Sequence, residues 1–372
     1  MYTPICELLG CDVPIFAFSH CRDVVAAVTM AGGFGVLGAS TVSPEDLEVE
    51  MRWIDEHTAG RPYGVDVIIP TTYDKDAEAS PEDLERMIPE EHRAFMDKVL
   101  GEAGVPELPA DDRSRLRQEL AAGRGGMTPD GARRLLAVAL EHPQVKLVVS
   151  ALGAPPPDLI ETLRERDIVV GAMCGKAVHA ERQIAAGVEV IVAQGTEAGG
   201  HTGEISTLVL VPQVVNVAGD RARVLAAGGI SHGSQIAAAL AMGAEGVWLG
   251  TIWLGTRESE LDAFEKEVIF ETKTEGTVRR KVRTGKTVRM IKSDLSEVWE
   301  KPDAPAYLPT PLQGILFNEA HARVVRAQRK DLYSFPVGQS VGAVNQETSV
   351  RDVMYNLQLE YGEAMERLAK LM

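Results

Sequence analysis

Short apolar runs alternate with amphipathic stretches along the first two thirds of the chain. Val13 to Phe18 is an apolar run of strand length, Arg22 to Ala31 carries apolar residues at helical spacing, and Gly32-Gly33 ends it. The unit repeats: 34-FGVLGAS-40 reads as a strand, Pro44 opens a helix to about His57, and 63-YGVDVIIP-70 reads as a third strand. Further on come strand 145-VKLVVSA-151, helix 156–166, strand 168-IVVGAM-173, helix 176–187 and strand 189-EVIVAQ-194. A short helix over 206–217, strand 222-ARVLAA-227, helix 232–243 and strand 245-EGVWLG-250 complete the series. These runs are continuous rather than alternating, which fits strands covered on both faces, and helical connections imply parallel strands joined by right-handed crossovers. Eight such strands predict an α/β fold, a closed (β/α)8 barrel of the TIM type.

Two segments break the pattern. Residues 71–131 are rich in Asp, Glu, Arg and Pro, with amphipathic pieces near 81–100 and 112–122. This reads as a helical insertion after the third strand, projecting from the carboxyl face of the barrel, where lids are useful. After Glu258 the chain reads as a charged helix over 260–275, a basic turn-rich patch, the Pro-rich stretch 302-PDAPAYLPTPLQG-314 and helices near 317–330 and 349–370. No flexible Gly/Ser linker precedes it, so residues 259–372 are expected to form a helical extension packed on a barrel spanning 1–258.

Charge narrows the range of partners. Thirty-eight Lys and Arg face 54 Asp and Glu, a net charge of −16 that repels nucleic acid and anionic membranes. Only 279-RRKVR-283 clusters basic residues, and it reads as a solvated face or an anion-tolerant loop. Cys6, Cys11, Cys21 and Cys174 show neither metal-ligand spacing nor the density of a disulfide scaffold, so reduced, buried thiols and no metal are expected. Without a basic leader or a long apolar run, the chain reads as cytoplasmic, with a small-molecule substrate and room for a homo-oligomer.

The candidate chemistry lies where strands end. Turns 226-AAGGIS-231 and 248-WLGT-251 follow the last two strands, the usual phosphate site of a barrel, because glycine lets backbone N–H groups approach phosphate oxygens. No GxGxxG or GxxxxGK[ST] pattern competes with that reading. Directly after the sixth strand, 194-QGTEAGGHTG-203 places His201 in a glycine-rich loop at the carboxyl end, beside the phosphate site, which makes it the catalytic candidate. His20, after the first strand, falls on the same face and is read as structural. His179 lies away from the chemistry, and His232 is read as a helix cap.

Taken in order, 14-PIFAF-18, 32-GGFGVLGAS-40, 64-GVDV-67, 194-QGTEAGGHTG-203, 226-AAGGI-230 and 243-GAEGVWLGT-251 resemble the nitronate monooxygenase family, formerly called 2-nitropropane dioxygenases. The likeness spans roughly residues 10–260 apart from the insertion, and the EAGGHxG run is shared with flavin enoyl-thioester reductases. The resemblance implies a noncovalent FMN with its phosphate held by Gly228 and Gly229 and by main-chain groups of Trp248, Leu249, Gly250 and Thr251. Gln194, Gly199 and Gly200 would lie along the flavin, Ala17, Phe18 and Asp66 would wall it, and His201 would be the catalytic residue. The implied reaction is oxidation of a nitronate or nitroalkane with O2. Alternatives are an NAD(P)H-dependent FMN reductase of enoyl or other acyl thioesters, and a flavin-binding protein without efficient turnover. The chain departs from the family at Ala17-Phe18-Ser19-His20, where Ala-Pro-Met is common, at Asp66, where Asn is common, and at Trp248, where Gln often stands. A carboxylate at Asp66 would disfavour an anionic reduced flavin unless it were protonated or paired.

Overall fold

The computed structural model of the chain describes residues 1–69, 80–126 and 128–371. Residues 70–79 and 127, which include the end of the expected third strand and part of the expected insertion, lie outside it. Eight parallel strands close into a barrel: β1 (Ile15–Ser19), β2 (Phe34–Gly38), β3 (Tyr63–Val67), β4 (Val145–Ser150), β5 (Val169–Cys174), β6 (Val190–Gln194), β8 (Arg223–Ala227) and β9 (Gly246–Leu249). The ring shuts where Phe16 pairs with Trp248, and β7 (Gly200–His201) stands outside it. The expected TIM-type fold is therefore what the chain forms.

Side-chain alternation explains why every strand is apolar on both sides. Phe16, Phe34, Val36, Leu147, Val149, Val192, Leu225 and Trp248 fill the barrel interior, while Ile15, Val65, Val148, Val170, Ile191, Val224 and Val247 join a second cluster that includes the surrounding helices. Burying each large aromatic in that interior is worth about 2–3 kcal/mol. Helix α1 (Pro4–Leu9) adds Ile5, Cys6 and Leu9 to the interior cluster and so stoppers the amino end of the barrel. Its last turn closes through Gly10, in the left-handed region at φ 75°, with the N–H groups of Gly10 and Cys11 both donating to the Cys6 carbonyl. With that end plugged, the carboxyl ends of the strands are the open side.

The outer layer holds α2 (Arg22–Met30), α3 (Pro44–His57), α4 (Pro81–Met87), α5 (Glu90–Glu102), α6 (Ala110–Gly126), α7 (Pro129–Ala139), α8 (Pro157–Glu165), α9 (Ala177–Ala186), α10 (Thr207–Ala218) and α11 (Gly233–Ala241). The α3 start shows how sequence sets these boundaries: Pro44 occupies the first turn and the Ser43 hydroxyl accepts from the Asp46 N–H at 3.0 Å. No helix among the described residues is long and apolar enough to cross a membrane.

Beyond residue 258 lie α12 (Ala263–Glu271), β10 (Thr277–Arg280), β11 (Val288–Ile291), α13 (Asp294–Val298), α14 (Leu312–Arg326) and α15 (Val350–Ala369). The basic turn-rich patch expected here is an antiparallel hairpin, and β11 also pairs with β7, setting Val288 against His201 and Arg289 against Gly200. Helix α14 clasps the insertion: buried Arg323 donates to the carbonyls of Pro106 and Val105 and reaches Asp97 at 2.7 Å. Helix α15 returns to the barrel between α11 and α2, burying Val350, Met354 and Leu357 at i, i+4 and i+7. It lies so close that a Cβ on Gly233 would sit 2.3 Å from the Leu357 carbonyl oxygen.

Candidate active site

At the open end, the inward-facing positions are lined in turn by Phe18, Asp66, Met173, Gln194 and Trp248. Phe18 stacks on Trp248 with centroids 6.1 Å apart and meets the His20 ring edge-on at 5.2 Å. Because Phe16 also lies against Trp248, at 6.5 Å, the floor of the mouth is aromatic on the β1 and β9 side. His20 Nδ1 donates to the Gly38 carbonyl at 2.9 Å, and since a carbonyl can only accept, Nδ1 carries the proton. The ring is exposed at the rim, so the structural reading of His20 holds for one nitrogen only.

Asp66 is the unusual member of this wall. It is 5% exposed, its Oδ2 has no hydrogen-bond partner, and burial alone pushes its carboxyl up to about 7. A buried carboxylate without a partner is costly, and the neutral acid is the form this position favours up to about neutral pH.

Two glycine turns flank the mouth. Gly228 and Gly229 adopt φ values of 107° and 71°, both in the left-handed region, and a Cβ on Gly228 would lie 2.8 Å from Thr207 Oγ1. Consecutive residues of this kind form a concave run of backbone suited to an anion. Gln235 holds the turn from below, donating to the Gly229 carbonyl at 2.8 Å and accepting from the N–H groups of Ser231 and His232. His232 caps α11 by accepting from Ser234 N–H at 3.1 Å, as expected. After β9, Thr251 Oγ1 accepts from Gly338 N–H at 2.9 Å, which ties the second turn to the carboxyl-terminal segment.

The loop between β6 and α10 is fixed at several points. The Glu197 carboxylate accepts from Thr207 N–H and Oγ1, each at 2.9 Å, and so caps α10. The Glu197 carbonyl accepts from Gln339 N–H at 2.8 Å, and a Cβ on Gly199 would lie 2.7 Å from the Val337 carbonyl carbon. At the tip, His201 Nδ1 faces the Thr287 carbonyl at 3.2 Å, so the proton of the neutral ring sits on Nδ1 and the Nε2 lone pair is left for a ligand. Burial lowers the His201 pKa, the positive charges of Lys286 and Arg283 lower it further, and the Thr287 contact opposes them. The imidazole is thus biased toward its neutral form.

Of the residues singled out in the sequence, Phe18, Asp66, Gln194 and Trp248 line the mouth, and Gly228, Gly229, Gly250 and Thr251 form its rim. Ala17 and Leu249 turn their side chains into the outer layer, leaving only backbone for the mouth. Gly199 faces Val337 and Gly338, and Gly200 is engaged as the strand partner of Arg289. Sequence reasoning missed the hairpin that completes the loop: Arg289 Nε donates to the Thr196 carbonyl at 2.8 Å, and Arg279 reaches the Thr202 carbonyl at 3.4 Å. The cluster 279-RRKVR-283 was the available signal.

Comparison with known proteins gives consistent likenesses. A family model described as nitronate monooxygenase matches residues 18–360. A Mycobacterium tuberculosis protein named as a monooxygenase is 45% identical over 379 residues, covering 100% of this chain and 99% of its own. A Staphylococcus saprophyticus protein named as a nitronate monooxygenase is 30% identical over 393 residues, with 98% and 99% coverage. Among solved structures, nitroalkane oxidase from Streptomyces ansochromogenes superimposes with a TM-score of 0.78 at 27% identity, covering 98% of this chain and 99% of that one. A variant of FabK from Thermotoga maritima gives 0.70 at 25% identity with full coverage of both chains.

Proposed function

The chain belongs to the nitronate monooxygenase family, and from that premise we propose that it is an FMN-dependent oxidoreductase that oxidises a small nitronate or nitroalkane, with O2 as the final electron acceptor. The observation that carries the reading is the His201 loop, whose free Nε2 stands on the same barrel end as an aromatic floor and a tandem-glycine turn.

The residues present fit a flavin phosphate and ring. The concave backbone at Gly228 and Gly229, with Gly250 and Thr251 across the rim, suits a phosphate, and Phe18 and Trp248 offer apolar surface to a planar ring. The unpartnered Oδ2 of Asp66 offers a polar contact along that ring, and as a neutral acid it is a donor. When bound, the flavin supplies the two-electron acceptor that oxygen regenerates. The protein's own part is to hold the carbon acid at His201: Nε2, neutral at physiological pH, takes a carbon-bound proton or faces the charged nitro group after protonation. Lys286 and Arg283 make the surroundings favourable to an anion.

The test is anaerobic stopped-flow reduction of the purified protein by a panel of nitronates, nicotinamides and acyl thioesters. Rapid bleaching by a nitronate and slow bleaching by the others supports the proposal; rapid bleaching only by NADH or NADPH overturns it in favour of the acyl-thioester reductase reading. That second reading draws on one feature, the group of unpaired cations beside the loop.

A further inference from the structure

The β10–β11 hairpin concentrates positive charge that the rest of the molecule does not balance. Between Thr277 and Ile291 stand Arg279, Arg280, Lys281, Arg283, Lys286 and Arg289. Arg280 is paired with Glu297 and Glu300. Among the described residues no carboxylate lies within 4.0 Å of the other five, in a chain whose net charge is −16. Acidic side chains are abundant, so the vacancy is local to this arm.

Geometry adds to the imbalance. Arg279 and Arg289 are directly opposite across the two strands, a like-charge pairing that costs stability in a bare sheet. Arg289 is 7% exposed, and burial first and the charge of Arg279 second weaken its hold on its proton, against an opposing pull from Glu197. Arg279 Nε and Arg283 Nη1 are both buried without an acceptor. Arg283 lies over the Phe317 ring at 5.3 Å, and its charge, like that of Lys286, acts on His201. Buried guanidinium groups with unmade hydrogen bonds, facing one another, are arranged for oxyanions that bring the missing acceptors.

A nitronate or carboxylate carries one charge and is satisfied by a single bidentate guanidinium. Five unpaired cations exceed that need and match a ligand with several phosphate charges. We propose that the hairpin is a phosphate-reading arm, which receives the phosphorylated part of a nucleotide-type co-substrate, a nicotinamide dinucleotide or an acyl-coenzyme A, and so directs its reacting end toward His201. This rests on the flavin oxidoreductase reading only for the chemistry at His201; the binding itself is separable from turnover.

The experiment is calorimetric titration of the full-length flavin-loaded protein with NADPH, NADH, coenzyme A and inorganic pyrophosphate, in wild type and in Lys281→Glu/Lys286→Glu. Both lysines are exposed, and a remote Lys370→Glu variant serves as the charge control. The wild type is expected to bind at least one nucleotide at micromolar Kd, weakening as salt rises, and the double variant to bind it about 10-fold or more weakly with little salt dependence. Weakening for NADPH and NADH alone identifies the nicotinamide source, and weakening for coenzyme A alone identifies the thioester. Equal affinity in wild type and double variant, or loss matched by the Lys370→Glu control, overturns the proposal. So does the absence of nucleotide binding by the wild type. Nitronate turnover is read separately on the wild type, so a failed arm and a failed nitronate reading are distinguishable.

Discussion

Replacing Asp66 by Asn gives a test of the barrel interior whose size follows from one side chain. The Asp66 carboxyl is held at about 7 by burial, against an ordinary 3.8. Below about pH 4 both folded and unfolded chains keep the proton, and the carboxyl has no effect on the pH dependence of folding. As pH rises the unfolded chain releases the proton while the folded chain retains it until about pH 7, so stability falls across that window. The slope is about 1.4 kcal/mol per pH unit, and the total above pH 7 is about 4 kcal/mol. Asn has no such titration. Urea unfolding of the cofactor-free wild type and Asp66→Asn proteins at several pH values between about 4 and 8 should show the variant gaining on the wild type up to about pH 7, then a constant gap. Parallel stability curves would refute the reasoning, because they would mean that Asp66 ionises inside the folded barrel as readily as in water.

Three further outcomes follow from the site. His201→Asn should retain flavin, since the ring is not part of the rim turns, and lose about 100-fold or more in kcat/KM for a neutral nitroalkane; unchanged turnover would remove His201 from the chemistry. In the wild type, kcat/KM for that substrate should rise with pH and level off at an apparent pKa below the ordinary 6.5 of histidine, because burial lowers it and the reactive form is the neutral one; a rising limb centred above 6.5 would contradict this. Gly228→Ala combines a left-handed backbone with a Cβ 2.8 Å from Thr207 Oγ1, and should purify with markedly less bound flavin while Glu197→Gln, which only weakens the α10 cap, should cost about 1 kcal/mol in thermal unfolding.

The barrel was legible because each strand is apolar on two faces and, apart from the insertion between β3 and β4, the strands are joined by single helical units. Pro44 marked its helix start, and the Gly32-Gly33 pair marked the end of the helix before it, through local backbone chemistry that needs no knowledge of the fold. The site was legible where glycine and histidine share one loop. What escaped was decided at long range. Val278, Val288 and Met290 are too few to announce strands among six cations, and β7 is two residues long; its pairing with β11 exists only because segments far apart in the chain meet, as the His201–Thr287 contact does across 86 positions. The α15 periodicity was visible, but its place beside α11 was not, since an apolar stripe does not say which groove it fills. The α1 stopper is six residues long, below the length at which helical spacing can be told from chance.

The strand partner of His201 is also among the last parts of the chain to be made. A ribosome completes β6 and the glycine loop long before it reaches Val288, so during synthesis the barrel can begin to close while the imidazole still lacks the Thr287 carbonyl that orients it. The reactive nitrogen is therefore oriented late, by a hairpin that belongs to no strand of the barrel. Sequence drift in the hairpin can retune the histidine without disturbing the barrel that carries it, which makes the arm a place where relatives sharing one scaffold can diverge in chemistry.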